Sequence, residues 1–188
     1  MHRTRTLRQP LPRSMLRAGS DYVKKRWHQI ANMPEMARAD VDWMAEALVE
    51  ARRAGAEGEV PVGAVVIHQN EIIGRGRNRR EANGDPLAHA EILAIRQAAD
   101  CIEGWRLTGC ELYVTLEPCA MCAGALVNSR MERLVFAARD PKAGYCGSLG
   151  NIVEDARLNH RVEVTVGVLA DEAAALLRDF FASLRRSR

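Results

Sequence analysis

The sequence predicts an α/β protein, a three-layer α/β/α sandwich around a five-stranded mixed sheet. Apolar residues at helical spacing alternate along the chain with short runs rich in β-branched residues, which favours strands interleaved with helices. The length of 188 residues suits one hydrophobic core. The composition, 47% hydrophobic and 27% charged, is typical of a globular protein.

The first half of the domain is predicted as one helix, a hairpin and a second helix. Asp40 is a suitable N-cap, and apolar residues recur at helical spacing from there to Gly55. Asp85-Pro86 marks the start of the second helix, because Pro is favoured in a first helical turn. The hairpin strands are predicted at 60–67 and 71–76, and the second helix ends near residue 99.

The second half is predicted as three more strands and two helices, at 111–116 (strand), 118–128 (helix), 132–138 and 161–168 (strands) and 171–186 (helix). This order implies one antiparallel hairpin followed by parallel crossovers. In the last helix, a stripe of apolar residues is expected to face the core, with one of Phe180 and Phe181 buried. The Gly-rich segment 140–159 is predicted as a long functional connection.

The charges divide the chain into two parts. Residues 1–40 contain nine Lys or Arg against three Asp or Glu, although the whole chain carries only +3. We therefore expect a basic, poorly ordered N-terminal extension over 1–38 and one folded domain over 39–188. A phosphate-binding arm and a targeting peptide are the other interpretations of the basic segment. The longest run without a charged residue is 118–129, too short to cross a membrane.

Five cysteines are an odd number, and no hydrophobic signal segment precedes them, so the sequence predicts a reduced, cytoplasmic protein rather than a disulfide scaffold. Cys119 and Cys122 follow Pro118 at the start of a predicted helix. Their spacing places both thiols on one helical face, where they can bind a metal ion or form a redox pair. The spacing alone does not decide between these two uses.

His89 and Glu91 supply the groups that a hydrolytic metal site needs. His89 is a third potential ligand for zinc, and three ligands leave a position open for water. Glu91 can then carry protons beside that position. Singly, each residue is more typical of a core histidine or a first-turn carboxylate. A structural site would need a fourth ligand, for which Cys101, Cys110 and Cys146 are the candidates.

The combination of His-x-Glu with a later Pro-Cys-x-x-Cys resembles the zinc-dependent nucleobase deaminases. Longer runs, at 59–66, 85–91, 112–125, 138–142 and 158–165, are similar to the bacterial tRNA adenosine deaminases, of the cytidine deaminase-like superfamily. The resemblance implies one Zn²⁺ per subunit on His89, Cys119 and Cys122, with Glu91 as the proton shuttle. It further implies that a homodimer converts the wobble adenosine of a tRNA anticodon to inosine by means of a zinc-activated water.

The resemblance also implies which residues contact the anticodon stem-loop. The expected substrate-binding residues are Asn78, Ala90 through its backbone amide, Arg139, Asp140 and Phe181. The sequence departs from the family at Leu87 and at Tyr145-Cys146, which are expected to flank the pocket. Cys146 is either an inert filler or a thiol within reach of solvent.

Three other functions use some of the same residues. A deaminase of a free base or nucleoside, guanine or cytosine, would share the fold and the metal site. A structural zinc module would fill the fourth position with protein sulfur. A thiol redox protein would use Cys119 and Cys122 and would need no Glu91.

Overall fold

The computed structural model describes the backbone of residues 35–186 and the side chains of 38–186. Its elements, in chain order, are α1 (Glu35–Ala56), β1 (Gly63–His68), β2 (Glu71–Arg77), α2 (Arg80–Asn83), α3 (Ala90–Ile102), β3 (Cys110–Leu116), α4 (Ala120–Ser129), β4 (Arg133–Ala138), β5 (Glu163–Val166) and α5 (Ala170–Arg186). The predicted extension over 1–38 lies outside the described residues, apart from the first turn of α1.

The five strands form one mixed sheet in the order β2-β1-β3-β4-β5. β1 pairs antiparallel with β2 and with β3, whereas β3, β4 and β5 pair in parallel. The predicted mixed sheet is confirmed. The second antiparallel pair was not predicted, and it arises because the crossover from β2 through α3 places β3 on the far side of β1.

Helices cover both faces of the sheet, which confirms the three-layer sandwich. Successive strand residues point to opposite faces, and Val66 packs with α3 and α4 while Val65 packs with α1 and α5. β2 lies so close to α3 that a Cβ atom at Gly76 would clash with the backbone carbonyl of Ala90. This contact fixes the N-terminus of α3 beside the carboxyl end of β2.

Asp40 is not the N-cap that its residue type predicted, since α1 begins at Glu35. Its buried carboxylate instead accepts hydrogen bonds from the guanidinium of Arg133, at 2.8 and 2.7 Å, and from the hydroxyl of Tyr113, at 2.8 Å. These bonds join α1 to β3 and β4. The pairing of a buried carboxylate with a guanidinium outweighs the cap preference, because a charge is costly to bury alone.

The helix predicted from Asp85 begins later, at Ala90. The Asp85 carboxylate accepts a hydrogen bond from the Leu87 amide at 2.8 Å, which forms an Asx turn. The short helix α2 precedes this turn and was not predicted. Asp85-Pro86 therefore marks a turn, and the prediction of a helix start there is wrong.

The segment between β4 and β5 is a long connection, as predicted, with turns and two isolated bridges. In α5, Ala173 is the one buried residue among the described side chains, Phe180 is half-buried and Phe181 is exposed. The expectation of a buried phenylalanine is therefore wrong. The helix contacts the sheet through its first turns, where Ala173 and Ala174 pack in one cluster with Val135 and Ala137 of β4.

None of the helices between residues 35 and 186 combines the length and the apolar character that a membrane-spanning helix needs.

Candidate active site

The carboxyl ends of β2, β3 and β4 meet at one edge of the sheet, and α3 and α4 begin there. Ligands of open α/β sheets commonly bind outside the carboxyl ends of the strands. His89 is the N-cap of α3 and Cys119 is the N-cap of α4, and both have extended backbone conformations. Because the two helices lie on the same face of the sheet, their first residues face each other.

This arrangement brings His89, Cys119 and Cys122 together. Their ligand atoms all lie within 4.8 Å of one another. Nδ1 of His89 is 3.7 Å from Sγ of Cys119 and 3.5 Å from Sγ of Cys122. The three residues predicted as metal ligands from their spacing are thus adjacent in space.

The three donors fit a zinc ion. Tetrahedral zinc with bonds of about 2.3 Å to sulfur and about 2.0–2.1 Å to nitrogen separates the two donors by about 3.6 Å, close to both separations here. Within residues 38–186, no fourth His, Cys, Asp or Glu joins the group. Cys101 is exposed, and Cys110 and Cys146 are buried outside the group. A site with three protein ligands keeps a position open, as catalytic zinc sites do.

A hydrogen bond between the two thiols of the group shifts their pKa values in opposite directions. A hydrogen bond from the Cys122 thiol, reinforced by His89, lowers the pKa of Cys119 to about 3. The same hydrogen bond, together with burial, raises the pKa of Cys122 above its ordinary value. A cation bound to both sulfurs favours the thiolate form of each, as in zinc sites with two cysteine ligands.

Glu91 lines the same cavity as His89 and Cys119, although only 4% of its surface is exposed. It lies in the first turn of α3 and His89 lies just before that helix, which allows side chains two residues apart to converge. Burial raises the pKa of Glu91 to about 7. A cation at the neighbouring ligands would lower this pKa again. A buried carboxyl group beside these three residues is placed to carry protons.

The cavity at this edge has a volume of about 160 Å³. Three of the five residues predicted to bind substrate line it: Asn78, Ala90 and Asp140. Its remaining lining residues are Val60, Val62, Arg80, Leu116, Glu117 and Ala143.

Arg139 and Phe181, the other two predicted substrate-binding residues, are exposed and do not line the cavity. The guanidinium of Arg139 lies 5.9 Å from the ring centroid of the buried Phe136. Leu87 and Tyr145 are also exposed and lie outside the lining. These four side chains therefore belong to the outer surface, and contact between that surface and a nucleic acid stays a prediction.

Cys146 is a buried filler, since only 4% of its surface is exposed. Burial raises the pKa of its thiol to about 12, so the thiol stays protonated. Of the two interpretations that the sequence left open, the structure supports the inert one.

Two buried glutamates at the site, Glu59 and Glu117, were not predicted. Glu59 is 1% exposed and Glu117 is 2% exposed. Each stands next to a strand of mostly apolar residues and one or two residues before a proline. An acidic residue in such a buried stretch usually has a specific partner, which is the signal that could have identified both.

Glu117 holds the connection after β4 against the edge of the sheet that bears His89 and Cys119. Its carboxylate accepts hydrogen bonds from the amides of Asp140 (3.0 Å), Cys146 (3.1 Å) and Ser148 (2.9 Å) and from the Ser148 hydroxyl. A Cβ at Gly144 would clash with this carboxyl group, so glycine is needed for the close approach. Although burial raises it, these hydrogen bonds hold the pKa of Glu117 below its ordinary value.

We expect Glu117→Gln to loosen this connection. A glutamine amide cannot accept from all four donors, and each buried donor left unpaired costs about 1–3 kcal/mol. The melting temperature should fall, and amide hydrogen exchange should accelerate in residues 140–148 more than in the strands. Glu163→Gln, which removes the same charge from an exposed position, is the control. Unchanged exchange in residues 140–148 would contradict the role given to Glu117.

Comparisons with known proteins give the family. The family model described as MafB19-like deaminase matches residues 38–185. The tRNA-specific adenosine deaminase of Bacillus subtilis (strain 168) is 49% identical over 146 residues, which cover 78% of this chain and 91% of that protein. The tRNA-specific adenosine deaminase of Aquifex aeolicus (strain VF5) is 50% identical over 141 residues, covering 75% of this chain and 93% of that protein.

Solved structures agree with these relatives. One structure comes from a study of A-to-I editing by tRNA:A34 deaminases at the wobble position of transfer RNA. It has a TM-score of 0.70 and 43% identity, and the match covers 72% of this chain and 99% of that chain. A guanine deaminase from Nitrosomonas europaea has a TM-score of 0.66 at 27% identity, covering 97% of this chain and 100% of that chain. The guanine deaminase shares the fold, and the closer identity of the sequence relatives and of the first structure shows that the chain belongs to the family of the tRNA-specific adenosine deaminases.

Proposed function

We propose that this protein catalyses the hydrolytic deamination of adenosine to inosine at the wobble position of a tRNA anticodon. The observation that carries the proposal is the convergence of His89, Cys119 and Cys122 at a cavity whose lining includes His89, Cys119 and the buried Glu91. This arrangement supplies a metal site and a proton carrier within one small cavity. The names of the relatives supply the substrate class.

The chemistry needs one proton carrier and one nucleophile. Zinc, when bound to His89, Cys119 and Cys122, lowers the pKa of water and supplies a strong nucleophile at neutral pH. Glu91 accepts the proton that the attacking water loses and donates it to the ring nitrogen next to the amine-bearing carbon. Glu91 then takes the proton of the new hydroxyl group on that carbon and gives it to the amine, which leaves as ammonia while the carbonyl group of inosine forms. Water and adenosine are thereby converted to inosine and ammonia.

The walls of the cavity are suited to holding the target base. Asn78 offers an amide group, and the amide N–H of Ala90 begins α3, where it has no acceptor within the helix. Asp140 adds a side chain from the connection that Glu117 holds in place. Arg139 and Phe181 are assigned to the surface that contacts the anticodon arm outside the cavity, where an exposed aromatic ring can stack on a base.

We further propose a cytoplasmic homodimer that binds one Zn²⁺ per subunit. The five cysteines are all unpaired, which fits a reducing compartment. A structural zinc module is the less favoured alternative, because the described residues supply three ligands and such sites normally have four.

Incubation with an anticodon stem-loop that carries adenosine at the wobble position tests the proposal. We expect the purified protein to form inosine, detected by mass spectrometry of the digested RNA. Free guanine, cytosine and their nucleosides should stay unchanged in parallel reactions. Turnover of one of these small molecules without inosine in the stem-loop would assign the protein to the alternative, a deaminase of free bases or nucleosides.

A further inference from the structure

Glu59 lies in the segment between α1 and β1, directly behind the cavity wall. Its side chain is buried, and both carboxylate oxygens accept hydrogen bonds. Oε2 accepts from Nδ2 of Asn78 at 3.1 Å, and Oε1 accepts from the backbone amide of Ala82, in α2, at 2.8 Å. Both donors follow β2 in the chain, so one carboxylate fixes this side of the cavity.

The contact with Glu59 also settles how the Asn78 amide is oriented. The oxygen and nitrogen of an amide side chain are distinguished by their hydrogen-bond partners. A carboxylate only accepts hydrogen bonds, so the NH₂ group of Asn78 must face Glu59 and its carbonyl oxygen must point away. Asn78 is 7% exposed and lines the cavity together with His89 and Glu91.

We propose that Glu59 is a positioning residue that sets the polarity of the cavity wall by holding the carbonyl oxygen of Asn78 toward the substrate. The wall then selects a ligand with a hydrogen-bond donor at this point. In an adenosine within RNA, the donor other than the departing amine is the 2′-hydroxyl of the sugar, since the 3′ and 5′ oxygens are bonded to phosphate. The inference rests on the proposed function, because it takes the cavity as the nucleoside site.

An exchange of the two functional groups tests this role. In Glu59→Gln, the new amide keeps an oxygen for Ala82 and turns its NH₂ group toward Asn78. Asn78 must then rotate its amide by half a turn, which presents NH₂ to the cavity and reverses the polarity of the wall. In the double variant Glu59→Gln/Asn78→Asp, the new glutamine donates to the new aspartate. The second oxygen of that aspartate faces the cavity as an acceptor, as in the parent protein.

We expect Glu59→Gln to raise the KM for the stem-loop about tenfold, the cost of one mismatched hydrogen bond, with a smaller change in kcat. Asn78→Asp alone should raise KM and lower the melting temperature, because two carboxylates then face each other. The double variant should return KM to within about threefold of the parent value, since both hydrogen bonds are again matched. A purely structural role predicts the parent KM in Glu59→Gln, since that variant satisfies every buried group.

The proposal is overturned if Glu59→Gln keeps the parent KM, or if the double variant is no better than the worse single variant. NMR of the ¹⁵N-labelled protein tests the orientation without substrate. The Asn78 side-chain amide, identified by its absence in Asn78→Asp, should exchange slowly with water in the parent protein and at least about tenfold faster in Glu59→Gln. Equal exchange rates in the two proteins refute the orientation. If the parent protein forms no inosine, the proposed function is refuted. The amide exchange rates still test the orientation of Asn78 in that case, because they are measured without substrate.

Discussion

Glu91→Gln is expected to reduce kcat for inosine formation by about 10² to 10⁴-fold, the usual contribution of a general acid-base group. The glutamine has the same shape and fits the same buried position, but it cannot take a proton from water or return one to the substrate. Glu91 does not belong to the group of three ligand atoms. The zinc content and the affinity for the stem-loop should therefore remain close to those of the parent protein.

Single-turnover kinetics, metal analysis and fluorescence anisotropy with a labelled stem-loop measure these three quantities. Glu163→Gln serves as the matched control, since it makes the same chemical change at an exposed site on β5. A kcat within threefold of the parent value would remove Glu91 from the reaction. Loss of zinc in the variant would instead make Glu91 a part of the metal site.

The cluster of His89, Cys119 and Cys122 could be predicted because most of its information is local. Pro118, Cys119 and Cys122 are close together in the chain, and a helix that begins after a proline puts both thiols on one face. His89 is 30 residues from Cys119. Its approach depends on α3 and α4 beginning at the same edge of the sheet, which the alternation of strands and helices already implied.

The misassigned residues are those whose structure depends on distant partners. Asp40 has the side chain of an N-cap, yet its partner is Arg133, 93 residues away, which no local pattern indicates. Asp85-Pro86 has the residue types of a helix start and of a turn, and the packing of β2 on Ala90 decides where α3 begins. Local preference is a weak guide wherever such a contact competes with it.

Glu59 and Glu117 escaped prediction for a related reason. Each is one acidic residue whose role is defined by a group on another segment: the amide of Asn78 for Glu59, and three backbone amides with the Ser148 hydroxyl for Glu117. A sequence can indicate that such a carboxylate is buried, but the partner that makes its burial favourable is defined only when the chain folds. The candidate site therefore consists of a predictable cluster, His89 with Cys119 and Cys122, and of buried carboxylates around it whose partners are set by tertiary contacts.

The second large effect is expected for Cys122→Ser, which should lower the affinity for zinc by more than about 100-fold, since loss of a supporting residue alone costs 10- to 100-fold. A serine hydroxyl is a poor zinc ligand at neutral pH, and Cys122 is completely buried in α4, so another side chain cannot easily replace it. Deaminase activity should fall with the zinc content.

Cys101→Ser and Cys146→Ser separate this effect from the general loss of a thiol, because Cys101 is exposed and Cys146 is buried outside the ligand group. Both controls should keep about one zinc per chain after dialysis against a weak chelator, whereas Cys122→Ser should lose it. Competition with a chromogenic zinc chelator gives the affinities. If Cys122→Ser retains the parent affinity, Cys122 is not a ligand of the ion. If Cys146→Ser loses zinc to the same extent while it remains folded, the ligand set extends beyond His89, Cys119 and Cys122, and the fourth position is not open for water.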